Sequence, residues 1–245
     1  MSRRSPLRFV SIAALGVSLG ASPARADVCP TPEAGAAAGA IDSQERLDFL
    51  ARAFDREVRD LDAWSWTWGS VYAAGAIAEG ALLPITHDRG SRVDLTVGLI
   101  STAFGALSLY VLPLKLTLPL RAARRRWHEP DPCAVLANAE ATLVRVEKNQ
   151  ALANGALAHI GNVAVNAAIA LILGLGYGRW TSAAISGGAG VAIGEANAFT
   201  QPHHLREVLE RYRSGRLDRT SPPLAWTVVP LAGPAMAGAA LHRSW

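Results

Sequence analysis

Five polar residues stand close together in otherwise apolar sequence: His159, Asn162 and Asn166 in one segment, Glu195 and Asn197 in the next. Spacings of three and four place His159, Asn162 and Asn166 on one helix face, continued by Gly155 and Ala170. A further acid, Glu79, interrupts another apolar run. Ionisable groups in such segments are costly unless paired, protonated or facing water. Joined in space, Glu79, His159 and Glu195 have the types needed for acid–base work or a metal site. The His/Asn face could equally line a polar cavity or a proton path. Nothing in the spacing requires any of these. Hydrogen bonding between helices is the commoner use of Asn and His in membrane bundles, and it is the preferred reading, with Glu195 a candidate partner for His159.

Other chemistry is sparse. His203-His204 is a weak metal hint and fits an interfacial helix start better. Gly190 and Gly194 form a GxxxG pair, a signal of low specificity in a chain with 22 glycines. There is no nucleophile elbow, phosphate loop, HExxH or CxxC. No catalytic residue, metal or cofactor is assigned, and enzymatic activity is disfavoured.

The elements that must position these residues follow from periodicity. Residues 154–200 read as two apolar, Gly/Ala-rich helices around a break at Tyr177-Gly178-Arg179-Trp180, a helical hairpin. Upstream, Asp42 with Glu45 three residues on predicts a helix start. Leu47, Leu50, Phe54, Val58 and Leu61 then repeat at helical spacing, with charged residues expected on the opposite face. Trp64, Trp66 and Trp68 form an interfacial belt before an apolar run over 69–85. A polar turn at 86–93 leads to a second run, 95–120, whose Gly98, Thr102 and Gly105 share a small-residue face, and which Pro113 and Pro119 should kink or end. Asp131-Pro132 predicts another helix start. A basic amphipathic helix is expected over 203–219, and a last apolar helix over 224–241.

The fold class that results is all-α: a multi-span helical membrane protein in which amphipathic helices precede apolar hairpins. Residues 1–26 read as a signal peptide, with Arg3, Arg4 and Arg8, a short apolar core and a small-x-small site at Ala24-Arg25-Ala26. The expected divisions are a linker at 27–41, a first helix and hairpin at 42–129, a second at 130–200, and a terminal part at 201–245. Each half carries a cysteine, an amphipathic helix, an apolar hairpin and an arginine-rich stretch, with poor residue identity between halves.

Composition bounds the partners. Half the residues are hydrophobic but 18% are charged, too many for a chain that is all membrane span. The net charge of +4 is concentrated in arginine clusters beside apolar segments, such as 121–126, which fits anionic lipid headgroups. No zinc-finger spacing or aromatic RNA-binding motif accompanies it, so nucleic acid is excluded as a partner. Gly/Ala faces would allow a homo-oligomer. Two cysteines in an exported chain predict a Cys29–Cys133 disulfide.

Topology is contested within the sequence itself. If every apolar run crosses, the clusters at 121–126 and 206–219 share the outer side with Cys29 and Cys133, against the positive-inside tendency. If residues 69–85 do not cross, the two cysteines are separated by the membrane. The disulfide favours paired hairpins. The expected function is a structural or scaffolding integral membrane protein of the bacterial cell envelope, reached by signal-directed export. The alternatives are a transport or pore component using the His/Asn face, and a membrane-embedded enzyme built on Glu79, His159 and Glu195.

Overall fold

The computed structural model describes residues 29, 35–218, 225–233 and 236–244, with backbone only for 112–114 and the last two segments. The signal peptide expected at 1–26 and most of the linker lie outside the described residues. The helices are α1 (Gly35–Gly39), α2 (Ser43–Leu82), α3 (Arg89–Lys115), α4 (Thr117–Arg125), α5 (Pro132–Ala153), α6 (Ala156–Leu171), α7 (Trp180–Thr200) and α8 (Leu205–Arg213). A π-turn, Ile172–Gly176, extends α6.

Both expected caps form. The Asp42 carboxylate accepts from the amides of Gln44 (2.9 Å) and Glu45 (3.1 Å). That of Asp131 accepts from Cys133 and Ala134, each at 3.0 Å, with Pro132 in the first turn. Each cap satisfies helix N–H groups that have no partner within the helix.

α2 does not stop where its amphipathic pattern ends. It continues without a break for 40 residues, so the first amphipathic helix and the run over 69–85 are one rod. α3 folds back along it. α6 and α7 form the second hairpin, closed by Tyr177 and by Gly178 at φ +68°, a left-handed conformation that favours glycine.

At one end of these hairpins, the first half of α2 packs with α4, α5 and α8 around a core that includes Leu50, Phe54, Leu120, Leu136, Leu143 and Leu205. Each such side chain contributes about 1.5–3 kcal/mol by leaving water. Cys29 and Cys133 are joined by a disulfide with their Cα atoms 5.3 Å apart, as their pairing in sequence led us to expect. It fastens the chain ahead of α1 to the first turn of α5.

The charged face expected along the first helix is not wholly solvated, since Arg46 and Glu57 turn inward and are buried. Arg46 donates to Tyr212 Oη (2.9 Å) and to the Cys29 carbonyl (3.0 Å), and it pairs with Glu140. The Tyr212 hydroxyl also donates to Glu140, and burial raises its pKa. Gln150 donates to Glu57 (2.6 Å) and to the Pro202 carbonyl (2.7 Å), and its own side-chain oxygen accepts from the amide of Leu205 (3.2 Å). Burial pushes the Glu57 carboxyl up to about 7.

Two expectations for the end of the chain are corrected. The basic helix is shorter than 203–219, because Gly215 at φ +71° ends the helical path soon after Arg213. The apolar helix expected over 224–241 is instead an antiparallel hairpin of β1 (Ala225–Gly233) and β2 (Met236–Ser244), registered from Ala225 opposite Ser244 to Gly233 opposite Met236. Pro230 and Pro234 oppose a helix here, and Val228 and Val229 suit an extended backbone.

Candidate functional site

The polar residues of the second hairpin meet one another. His159 Nδ1 lies 2.6 Å from Glu195 Oε2. Asn162 Nδ2 donates to Glu195 Oε1 (2.9 Å) and to the Val191 carbonyl (3.0 Å). Asn166 Nδ2 donates to the backbone and side-chain oxygens of Asn162, at 2.9 and 2.8 Å. The result is a ladder along the α6–α7 seam, with Phe199 beside the His159 ring at 5.1 Å between centroids.

Glycines make that ladder possible. A Cβ at Gly190 would run into the Asn166 carboxamide, and one at Gly194 into that of Asn162. The GxxxG pair is therefore a pair of seats for two asparagines of the facing helix. This signal was present in the sequence, but only the facing helix gives it meaning.

Glu79 belongs elsewhere. It accepts from the Thr102 hydroxyl (2.9 Å) and packs where a Cβ on Gly98 would clash with its carboxylate. The small-residue face of Gly98, Thr102 and Gly105 thus receives Glu79 and Tyr72 of α2. Among the described residues no hydrogen bond links Glu79 to His159 or Glu195, and no group of three or more His, Cys, Asp or Glu could hold a metal ion. The three-residue acid–base or metal cluster is not assembled. Gly98, Gly105, Gly190 and Gly194 are thus filled from within the chain, whereas Gly161 and Gly188 face open space.

Contacts the sequence did not reveal join the two hairpins at both ends. Beside the helical bundle, Trp64 Nε1 donates to the Asn197 carbonyl (3.2 Å) and Trp68 Nε1 to the Thr200 hydroxyl (2.9 Å). At the far tips, Arg179 Nε donates to Asp94 (2.8 Å) and the Ser182 hydroxyl donates to the same carboxylate (2.9 Å). Asn197, grouped with the polar cluster on sequence, serves the first latch through its backbone, and its side-chain nitrogen is buried without a partner. Close packing runs within each hairpin and is sparse between them, leaving a cleft in the middle.

Three of the four arginines at 121–126 pair within the chain while remaining partly exposed. Arg121 pairs with Asp62, Arg124 pairs with Asp55 and lies 4.9 Å above the Trp127 ring, and Arg126 pairs with Glu129 (2.8 Å). Hydrogen bonding to Glu129 raises the Arg126 pKa. His203 and His204 stack on each other at 5.9 Å, and burial lowers the His204 pKa.

Among the described residues, two stretches are long and apolar enough to cross a membrane: Arg89–Val111 within α3, at mean hydropathy 1.4, and Pro132–Gly176, which takes in α5 and α6, at 1.9. Comparisons with family models, curated proteins and solved structures find no match to this chain.

Proposed function

We propose that the chain is a structural protein embedded in a membrane of the bacterial cell envelope, with a disulfide-fastened helical bundle outside the bilayer and two helical hairpins within it. One observation carries this reading. Apart from Leu118 and Leu152 beside the necks, every exposed large apolar side chain among the described residues lies on the two hairpins; Trp66, Ile77, Tyr110, Leu157 and Leu175 are examples. The bundle buries such side chains and the hairpins display them. Only 6% and 11% of the most apolar windows are buried, which is unlike the core helix of a water-soluble protein. A contiguous exposed apolar surface of this kind calls for lipid or another apolar partner.

Dimensions support the placement. The apolar stretch Arg89–Val111 has 23 residues, a length of about 35 Å, against about 30 Å for a hydrocarbon core. The tryptophans at the necks and the ion pair at the tips then fall at opposite interfaces. Paired hairpins keep both cysteines on one side, in accord with their disulfide.

Washing membranes with carbonate and with high salt tests this. The chain should stay in the pellet after both treatments, and release by salt alone would mean peripheral attachment. A transport role is the second reading, favoured by the cleft between the hairpins. Its support would be solute flux in liposomes containing the purified protein.

A further inference from the structure

Between the hairpins, starting at the tryptophan latch and reaching Asn166, lies a cleft of about 390 Å³. Tyr72, Phe104 and Leu109 wall it on one side and Val165 and Ile193 on the other, and no charged residue lines it. At its bundle end two carboxamides, Asn197 Nδ2 and Gln201 Nε2, are buried with no hydrogen-bond partner. Gln201 is only 4% exposed. Among the described residues four buried side-chain polar atoms are left in this way, so half of them line this one cleft. A buried donor without an acceptor is unfavourable, which leaves the cleft chemically incomplete.

A ligand suited to this lining brings an acceptor oxygen to the two amides and an apolar body to the rest of the cleft. With no cation among the lining residues, a phosphate or carboxylate is poorly matched there and a neutral carbonyl is well matched. The amides share the cleft with Trp64, and the membrane placement argued above sets that end of the hairpins at the interface, where a bilayer carries its glycerol ester groups. The volume falls in the range of small-molecule sites. We propose that this cleft binds one glycerolipid, an ester carbonyl accepting from Asn197 and Gln201 and an acyl chain lying between the hairpins toward Asn166. The inference rests on the membrane placement argued above. It goes beyond that placement by assigning a specific lipid site within the chain, distinct from general contact of the outer hairpin surface with lipid.

The experiment is native mass spectrometry of the purified, delipidated full chain in detergent, titrated with dioleoyl phosphatidylcholine and with its diether analogue, which lacks the carbonyls. The diester should bind at one per chain, about tenfold tighter than the diether, as expected for satisfying two buried donors. Asn197→Leu and Gln201→Leu should each cut that preference to about threefold, and the double variant should erase it. Gly161 lines the cleft with open space where its Cβ would stand. Gly161→Phe should therefore block one-to-one binding while the disulfide and helix content persist. Equal binding of diester and diether by the unaltered chain overturns the proposal without reference to any variant. So does undiminished binding by a folded Gly161→Phe protein, or amides satisfied by water alone in a lipid-free cleft. A chain that failed the carbonate test would refute the membrane placement separately. One that passed it and bound both lipids alike would lose only the ester site.

Discussion

Arg179, in the turn of the second hairpin, holds Asp94 near the tip of the first, with Nε 2.8 Å from Oδ1. Ser182 donates to the same carboxylate, and a Cβ on Gly90 would collide with the Arg179 guanidinium. The two polar turns are thus one structure, formed by residues about 85 positions apart in sequence. With the tryptophan latches at the other end, this tip pair fixes both ends of two hairpins that otherwise pack mainly on themselves.

Breaking that pair should loosen the hairpins without unfolding the bundle. The two side chains are 32% and 27% exposed, so a coupling of about 1 kcal/mol is expected. A double-mutant cycle of Arg179→Ala and Asp94→Ala, read as thermal stability in detergent, measures it. Strictly additive effects would show that the tips do not hold one another.

The disulfide closes a separation of 104 residues around the first hairpin. Replacing Cys133 by Ser should destabilise the bundle by about 2–5 kcal/mol. Non-reducing peptide mapping should recover Cys29 linked to Cys133. Free thiols in protein protected from reduction would refute the linkage and remove the argument that both lie on one side of the membrane.

What the sequence made legible was local. The caps at Asp42 and Asp131, the break around Gly178 and the face shared by His159, Asn162 and Asn166 all depend on near neighbours. The separation of Glu79 from His159 depends on which helices approach, and a single sequence carries no direct signal for that. Arg46 reads as surface because a charged residue on an amphipathic helix usually is. Its burial needs Glu140 and Tyr212, which lie 94 and 166 positions away. The terminal apolar run was ambiguous for a different reason, since apolar runs without clear period fit a helix or a strand.

Arg46 and Glu140 are 0% and 1% exposed, so the loss of either takes an oppositely charged partner away from a buried charge. Arg46→Met and Glu140→Leu should each cost about 3–5 kcal/mol, and the double variant markedly less than their sum. Denaturant unfolding of the four proteins settles it. A double variant as unstable as the sum would mean that the two side chains act independently.

Glu57 makes the bundle sensitive to pH. Its carboxyl is raised from an ordinary 4.5 to about 7, chiefly by burial. Between those values the folded chain holds a proton that the unfolded chain has released. This group's contribution is therefore full below about pH 4.5, falls as pH rises through the window, and levels off above 7. Glu57→Gln keeps an acceptor for Gln150 and removes the titration. It should stabilise the protein at pH 8 by on the order of 2 kcal/mol and flatten the profile. A profile unchanged by the substitution would assign the pH dependence elsewhere.

The two acids that the sequence groups with His159 stand on different hairpins. Glu195 contacts the imidazole at 2.6 Å, whereas Glu79 bonds Thr102 on the other hairpin. Side chains in contact couple, and those without shared partners add. Polar pairs between membrane helices couple by about 0.6 kcal/mol on average and reach about 1.7. The His159–Glu195 pair is shared with Asn162, so its coupling should fall in the upper part of that range. His159→Ala should therefore remove most of the effect of Glu195→Gln, because the carboxylate has already lost its neighbour. Combined with Glu79→Gln, His159→Ala should give a simple sum. Stability in detergent of the three single and two double variants provides both cycles from one set of proteins. Additivity in the first cycle would dissolve the ladder into separate packing contacts. Strong coupling in the second would bring Glu79 back to His159 and reopen the acid–base site.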